Sequence, residues 1–127
     1  MTGRTWILLG GIHSLGLAAF HLSFWKIFKW RESLQRCTPA DRAILQILNL
    51  RLTYIFLLIA ALCFLYTDEL LLTELGKALL LGMSLFWVGR LIEQFIYLRI
   101  NHALVHGLTA LFALGAVVFA MPLISAT

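Results

Sequence analysis

Four apolar stretches dominate this chain, and each is long enough for the roughly 20 residues that a helix needs to cross a bilayer. They run from about Thr5 to Phe28, Ala43 to Tyr66, Leu70 to Ile100 and Ala103 to Ile124. Composition agrees with that reading. Of 127 residues, 61% are hydrophobic and 13% charged, with a mean hydropathy of +0.92. Ordinary soluble domains are about 45–50% apolar and about 25% charged. Those figures exclude a soluble domain, a disordered chain, a disulfide scaffold and a collagen-like repeat. The expected fold class is all-α: an integral membrane four-helix bundle, up-down-up-down, forming a single transmembrane domain over 1–127.

Local signals refine the segments. Thr38-Pro39-Ala40-Asp41 supplies an N-cap, a proline at the first helical position and an acid at the third, and so predicts the start of the second helix. Thr67-Asp68-Glu69 reads as another helix start, its acids suiting the positive end of the helix dipole. Arg99-Ile100-Asn101 leaves almost no room between the third and fourth segments, which predicts a tight antiparallel hairpin or a sharp kink. The first segment follows Arg4, as a signal peptide would. It is too long for one, lacks an A-x-A cleavage pattern and ends in Trp25-Lys26, so it reads as a retained span. Cys37 falls in a polar loop and Cys63 in an apolar run, so a disulfide between them is not expected.

Ten Lys and Arg against six Asp and Glu give a net charge of +4, and their placement sets topology. Lys26, Lys29, Arg31, Arg36, Arg42 and Arg99 fall on one side of a four-span chain. Arg4 and Lys77 fall on the other, beside Asp68, Glu69 and Glu74. The positive-inside rule then puts the 29–41 loop and the 99–101 turn in the cytoplasm and both termini outside. Trp6, Trp25, Trp30 and Tyr66 lie near the span boundaries, as an aromatic belt requires. The expected location is a bacterial inner membrane, crossed several times. The lipid bilayer is the expected partner, with a homo-oligomer or a larger membrane complex as further possibilities. Topology accounts for the basic residues, so nucleic acid is not an expected partner.

Polar side chains inside spans are costly, and they usually face the bundle interior. Helical spacing groups the ones present here into stripes. Gly10, Ser14, Leu17, His21 and Trp25 share a face of the first helix, with His13 beside it. Gln46, Asn49 and Thr53 share one of the second, and Arg51 points away from it, toward the cytoplasmic headgroups or an oligomer interface. Arg90, Glu93, Gln94 and Tyr97 share one of the third; His102, His106, Thr109 and Ala113 share one of the fourth. At about 1.5 Å rise per residue, His21, Asn49, Glu93, His102 and His106 all lie within about 10 Å, along the helix axis, of a cytoplasmic boundary residue. The sequence therefore predicts a polar layer in the cytoplasmic leaflet, with Arg90 and His13 deeper.

Two imidazoles at i and i+4, as in His102-x-x-x-His106, can share a metal ion. His21 and Glu93 could complete a set of His21, Glu93, His102 and His106. Zinc suits such a set, and its carboxylate also suits iron. His13, Asn49, Arg90 and Gln94 would orient ligands or substrate around it. A single b-type haem is another option, with His21 and either His102 or His106 as axial ligands. The HxxxH helix with a further histidine resembles the zinc-dependent membrane hydrolases that act on lipid amides. Those have more helices and a Ser/Asp pattern that this chain lacks. Gly10-x-x-His13 followed by Phe20-His21, in a short four-span chain, is similar to many small bacterial membrane proteins, a likeness that assigns no activity.

A structural or accessory membrane subunit would carry the same stripes merely to lock its helices. The small-residue ridges Gly10-Ser14-Ala18 and Ala103-Gly107 would serve close helix contact. Arg90 and Glu93 on a transport pathway are a fourth possibility, though no helix is broken by Gly or Pro as transporters require. No G-x-S-x-G and no phosphate-binding loop occurs. Whether the chain is an enzyme is left open by the sequence.

Overall fold

The structure is a computed structural model and describes residues 2–125. Those residues are all-α, with no strand among them. In chain order the elements are α1 (Gly3–Leu22), α2 (Phe24–Ile27), α3 (Trp30–Ser33), a single 3-10 turn (Leu34–Arg36), α4 (Pro39–Leu65), α5 (Thr67–Leu72), α6 (Glu74–Tyr97) and α7 (Ala103–Ile124). α1, α4, α6 and α7 are each long and apolar enough to cross a membrane, in keeping with a helical membrane bundle. Their outer faces carry large apolar residues such as Ile47, Leu85, Ile92 and Leu114, each about half exposed or more. In water such a surface would aggregate; in lipid it is solvated.

Three of the four expected segments differ from the observed helices, each for a local reason. The first was expected to reach Phe28, but α1 stops at Leu22. The Ser23 hydroxyl donates to Ala19 O (2.9 Å), and the Ser23 N–H is shared between Ala19 O and Phe20 O, which tightens and ends the last turn. Lys29 then adopts a left-handed conformation, φ 50 and ψ 50, and reverses the chain. The second helix starts at Pro39, ahead of the apolar stretch that begins at about Ala43, because the Asp41 N–H donates to Thr38 Oγ1 (3.2 Å). Here the predicted cap is the observed one.

The third segment is broken. α5 begins at Thr67, as the acidic signal suggested, but closes at Leu72. The Thr73 hydroxyl donates to Glu69 O (2.6 Å) and accepts from the Gly76 N–H (2.9 Å). One side chain thus ends α5 and caps α6. Only glycine fits three residues on, because a Cβ at Gly76 would overlap the backbone of Glu69 and Leu70. The fourth segment coincides with α7, Ala103–Ile124. Pro122 lies in its last turn, where it removes only one hydrogen bond.

The described residues form two compact units, one holding those up to Gly10 and from Leu62 onward, the other Gly11–Ala61. In the first, α6 and α7 pair along their length and run antiparallel. Ser84 meets Ala116, Trp87 and Arg90 meet Phe112, and Gln94 meets Val105 and Thr109. The opening turns of α1 join this unit. Gly3 faces Leu71, Gly10 faces the Phe119 ring, and Arg4 pairs with Asp68. In the second, Asn49 Nδ2 donates to His21 O (3.0 Å), and the His21 and Phe56 rings lie 5.1 Å apart. Arg42 closes the connecting loop through Leu34 O (2.8 Å), Gln35 O (3.4 Å) and Cys37 O (3.5 Å). A residue read from sequence as a topology-setting charge therefore also satisfies the carbonyls of a turn.

Candidate functional site

The end of the α6–α7 hairpin holds the best-defined polar cluster. Three rungs lead to it. The Ser84 hydroxyl donates to Ala116 O (2.8 Å). Trp87 stacks on Phe112, with ring centroids 5.4 Å apart and planes 13° from parallel; the Arg90 guanidinium carbon lies 4.6 Å from the centre of the same Phe112 ring. Gln94, only 1% exposed, donates from Nε2 to Val105 O (3.1 Å) and Thr109 Oγ1 (3.3 Å). Those two bonds fix the amide, and they leave Gln94 Oε1 buried with no partner among the described residues.

Beyond Gln94 the helices part around a cavity of about 480 Å³, whose wall is mostly apolar surface from Phe95, Leu98, Ile100, Val105 and neighbouring carbon atoms, with Gln94, Arg99, Asn101, His106 and Thr109 also lining it. α6 ends at Tyr97, and Arg99 Nε turns back to Phe95 O (2.9 Å), satisfying a carbonyl at the helix end. His106 Nε2 lies 2.8 Å from Asn101 Oδ1. An amide oxygen only accepts, so Nε2 carries the proton, and in the neutral ring Nδ1 is the acceptor. The volume falls in the range of small-ligand pockets, and a mostly apolar wall with a few fixed polar groups is their usual make-up.

The predicted site residues fare unequally. Gln94 and His106 line the cavity. His102 does not form a helical i,i+4 pair with His106: it is the N-cap of α7, in extended backbone conformation, and its Nδ1 accepts the Leu104 N–H (3.1 Å). Glu93 is exposed, one residue around α6 from buried Gln94. Arg90 and Glu93 lie one turn apart on α6. Among the described residues the ion pairs are Arg4 with Asp68 and Glu74 with Lys77, so Arg90 spends its guanidinium on Phe112 instead.

His21, His13 and Asn49 belong to the other unit. His21 Nδ1 donates to Leu17 O (2.8 Å) and its ring stacks on Phe24 at 4.6 Å; His13 is buried. Asn49 is buried and bonds across to His21 O, while Gln46 turns back to its own helix at Arg42 O (3.1 Å). Among the described residues, no three His, Cys, Asp or Glu side chains form a group that could hold a metal ion. Arg99 and Asn101, which line the cavity, read from sequence as a turn and, for Arg99, a topology-setting charge; an arginine and an asparagine beside an HxxxH pattern were the available signal. No family model, no curated protein and no solved structure matches the chain.

Proposed function

We propose that this chain is a small polytopic membrane protein whose α6–α7 hairpin binds a small polar ligand at its turn. The observation that carries the reading is Gln94, a buried amide with its nitrogen committed and its oxygen unmatched, on the wall of a ligand-sized cavity. Buried acceptors are almost always satisfied, and a ligand donor that displaced the packing over this oxygen from the cavity side would satisfy it. Arg99 and the His106–Asn101 pair would hold an anionic or accepting group at the mouth. The ligand is thus a molecule with both a donor and an acceptor or negative group. A metal centre or haem gains no support from the residues that line this cavity.

Mass spectrometry of small molecules extracted from the purified protein tests the reading. The expected result is one polar species near one equivalent per chain. It falls at least ten-fold in the combined His106→Ala and Asn101→Ala variant, whose side chains are exposed, and stays unchanged in Tyr54→Phe. Wild-type protein that yields no such species would sink the proposal. A second reading would then stand: a structural or accessory subunit whose polar groups lock its helices. It is favoured by Ser84, Asn49 and Gln94, each donating to a carbonyl on a neighbouring helix.

We also propose a bacterial inner-membrane location with both termini outside, from the excess of Lys and Arg in the 26–42 region and at Arg99. Cys37 is the reporter, since it lies in that loop while Cys63 is buried. A membrane-impermeant maleimide is expected to label Cys37 in inside-out vesicles and not in intact cells. The reverse pattern would invert the topology.

A further inference from the structure

A second cavity, of about 650 Å³, lies where α1 gives way to the short helices, and Leu22, Trp25, Lys26, Lys29, Arg31 and Glu32 line it. It owes its form to one residue. Lys29 is the one described non-glycine residue with positive φ, and the reversal there brings 25–26 and 30–32 back against each other. The Trp25 and Trp30 rings lie 5.9 Å apart as a result. For a residue with a Cβ the left-handed conformation is unfavourable, so the packing of the loop imposes it. The consequence is three cations on one concave wall. Among the described residues no acid forms an ion pair with any of them: Glu32 shares the wall, but the ion pairs are Arg4–Asp68 and Glu74–Lys77.

We infer that this groove binds the phosphate of an anionic lipid headgroup. α1 spans 20 residues to Leu22, about 30 Å of helix, which is the thickness of the hydrocarbon core. The groove therefore opens at headgroup depth. Leu22 and Trp25 supply an apolar wall for the glycerol and upper acyl region, and tryptophan is at home at that level. Lys26, Lys29 and Arg31 supply the charge. A free phosphate offers the same anion but has no use for the apolar wall.

Binding is read by native mass spectrometry of the full chain released from nanodiscs with equal phosphatidylglycerol and phosphatidylcholine. The expected result is retained phosphatidylglycerol in at least five-fold excess over phosphatidylcholine. The combined Lys26→Gln, Lys29→Asn and Arg31→Gln variant should retain the two lipids about equally, since each cation near an anionic surface is worth about five-fold in affinity. Asparagine is chosen at 29 because it tolerates the left-handed conformation. Lys77→Gln should keep the preference. Equal retention of the two lipids by the wild-type chain, or a preference unchanged in the triple variant, would overturn the inference. A parallel arm measures thermal unfolding in detergent with inorganic phosphate against sodium chloride at equal ionic strength. Protection by phosphate without any lipid preference would assign the groove to a soluble anion and overturn the headgroup.

Discussion

Gly76→Ala is expected to cost about 3 kcal/mol, at the upper end of the usual penalty for overpacking, and to lower the yield of folded protein sharply. The reason is what the new methyl group would meet. A flexible side-chain tip can move aside, but the atoms at this position are the Glu69 carbonyl and the Leu70 backbone. They are held in place on both sides, because Thr73 bonds Glu69 O and the Gly76 N–H together. Relief requires opening the α5–α6 corner, which breaks that cap and draws Leu70 and Leu71 out of the core. Gly82 and Gly89 on the same helix provide the contrast, since a Cβ at either meets nothing within 4 Å among the described residues. There Ala should be neutral, or stabilising by up to about 1 kcal/mol through helix propensity. Thermal unfolding of the three variants in one detergent decides the matter. A Gly76→Ala midpoint equal to that of Gly82→Ala would mean that the α5–α6 corner opens without cost.

The same corner shows why the sequence was legible in some places and opaque in others. α7 was readable to its ends, because a continuous apolar run bounded by polar residues leaves little choice. The Thr38-Pro39 start of α4 was readable because its cap is made by adjacent residues. The break at Thr73 was not, because it depends on a threonine hydroxyl choosing between a helix interior and two backbone partners, and on a glycine packed against a different helix. Faces were harder than segments. The stripe of Arg90, Glu93, Gln94 and Tyr97 follows helical spacing, but the buried face of α6 runs through Leu80, Ser84, Trp87 and Gln94. Glu93, about 100° around the helix from Gln94, is exposed, and so is Tyr97. A stripe of polar residues marks the interior only when packing confirms its azimuth. His102 gives the same lesson at a helix end. Four residues before His106 it looked like a partner on one helical face, yet as the first half-helical residue it serves the backbone instead.

Trp87→Ala is expected to destabilise the α6–α7 hairpin by about 3 kcal/mol. Trp87 is 1% exposed and lies flat on Phe112, so its removal leaves a large cavity between two helices. Truncating a core tryptophan costs about 3–5 kcal/mol in water-soluble proteins. The lower end applies here, because lipid tails are as apolar as the side chains and there is little hydrophobic transfer energy to lose. What remains is dispersion and stacking, which depend on contact and not on solvent. Trp87→Phe keeps a ring against Phe112 and should cost about 1 kcal/mol. Gln94→Leu, which removes two hydrogen bonds but leaves a side chain of similar size, should cost about 1 kcal/mol as well, the scale of interhelical hydrogen bonds in membranes. Unfolding of the three variants by denaturing detergent would rank them. If Gln94→Leu proved the most damaging, the polar bonds and not the aromatic stack would hold the hairpin, and the case for Gln94 as a ligand-facing group would weaken. If Trp87→Ala dominates, the stack carries the stability. Gln94 is then held in place by a scaffold that does not depend on it, as a residue that serves a ligand should be.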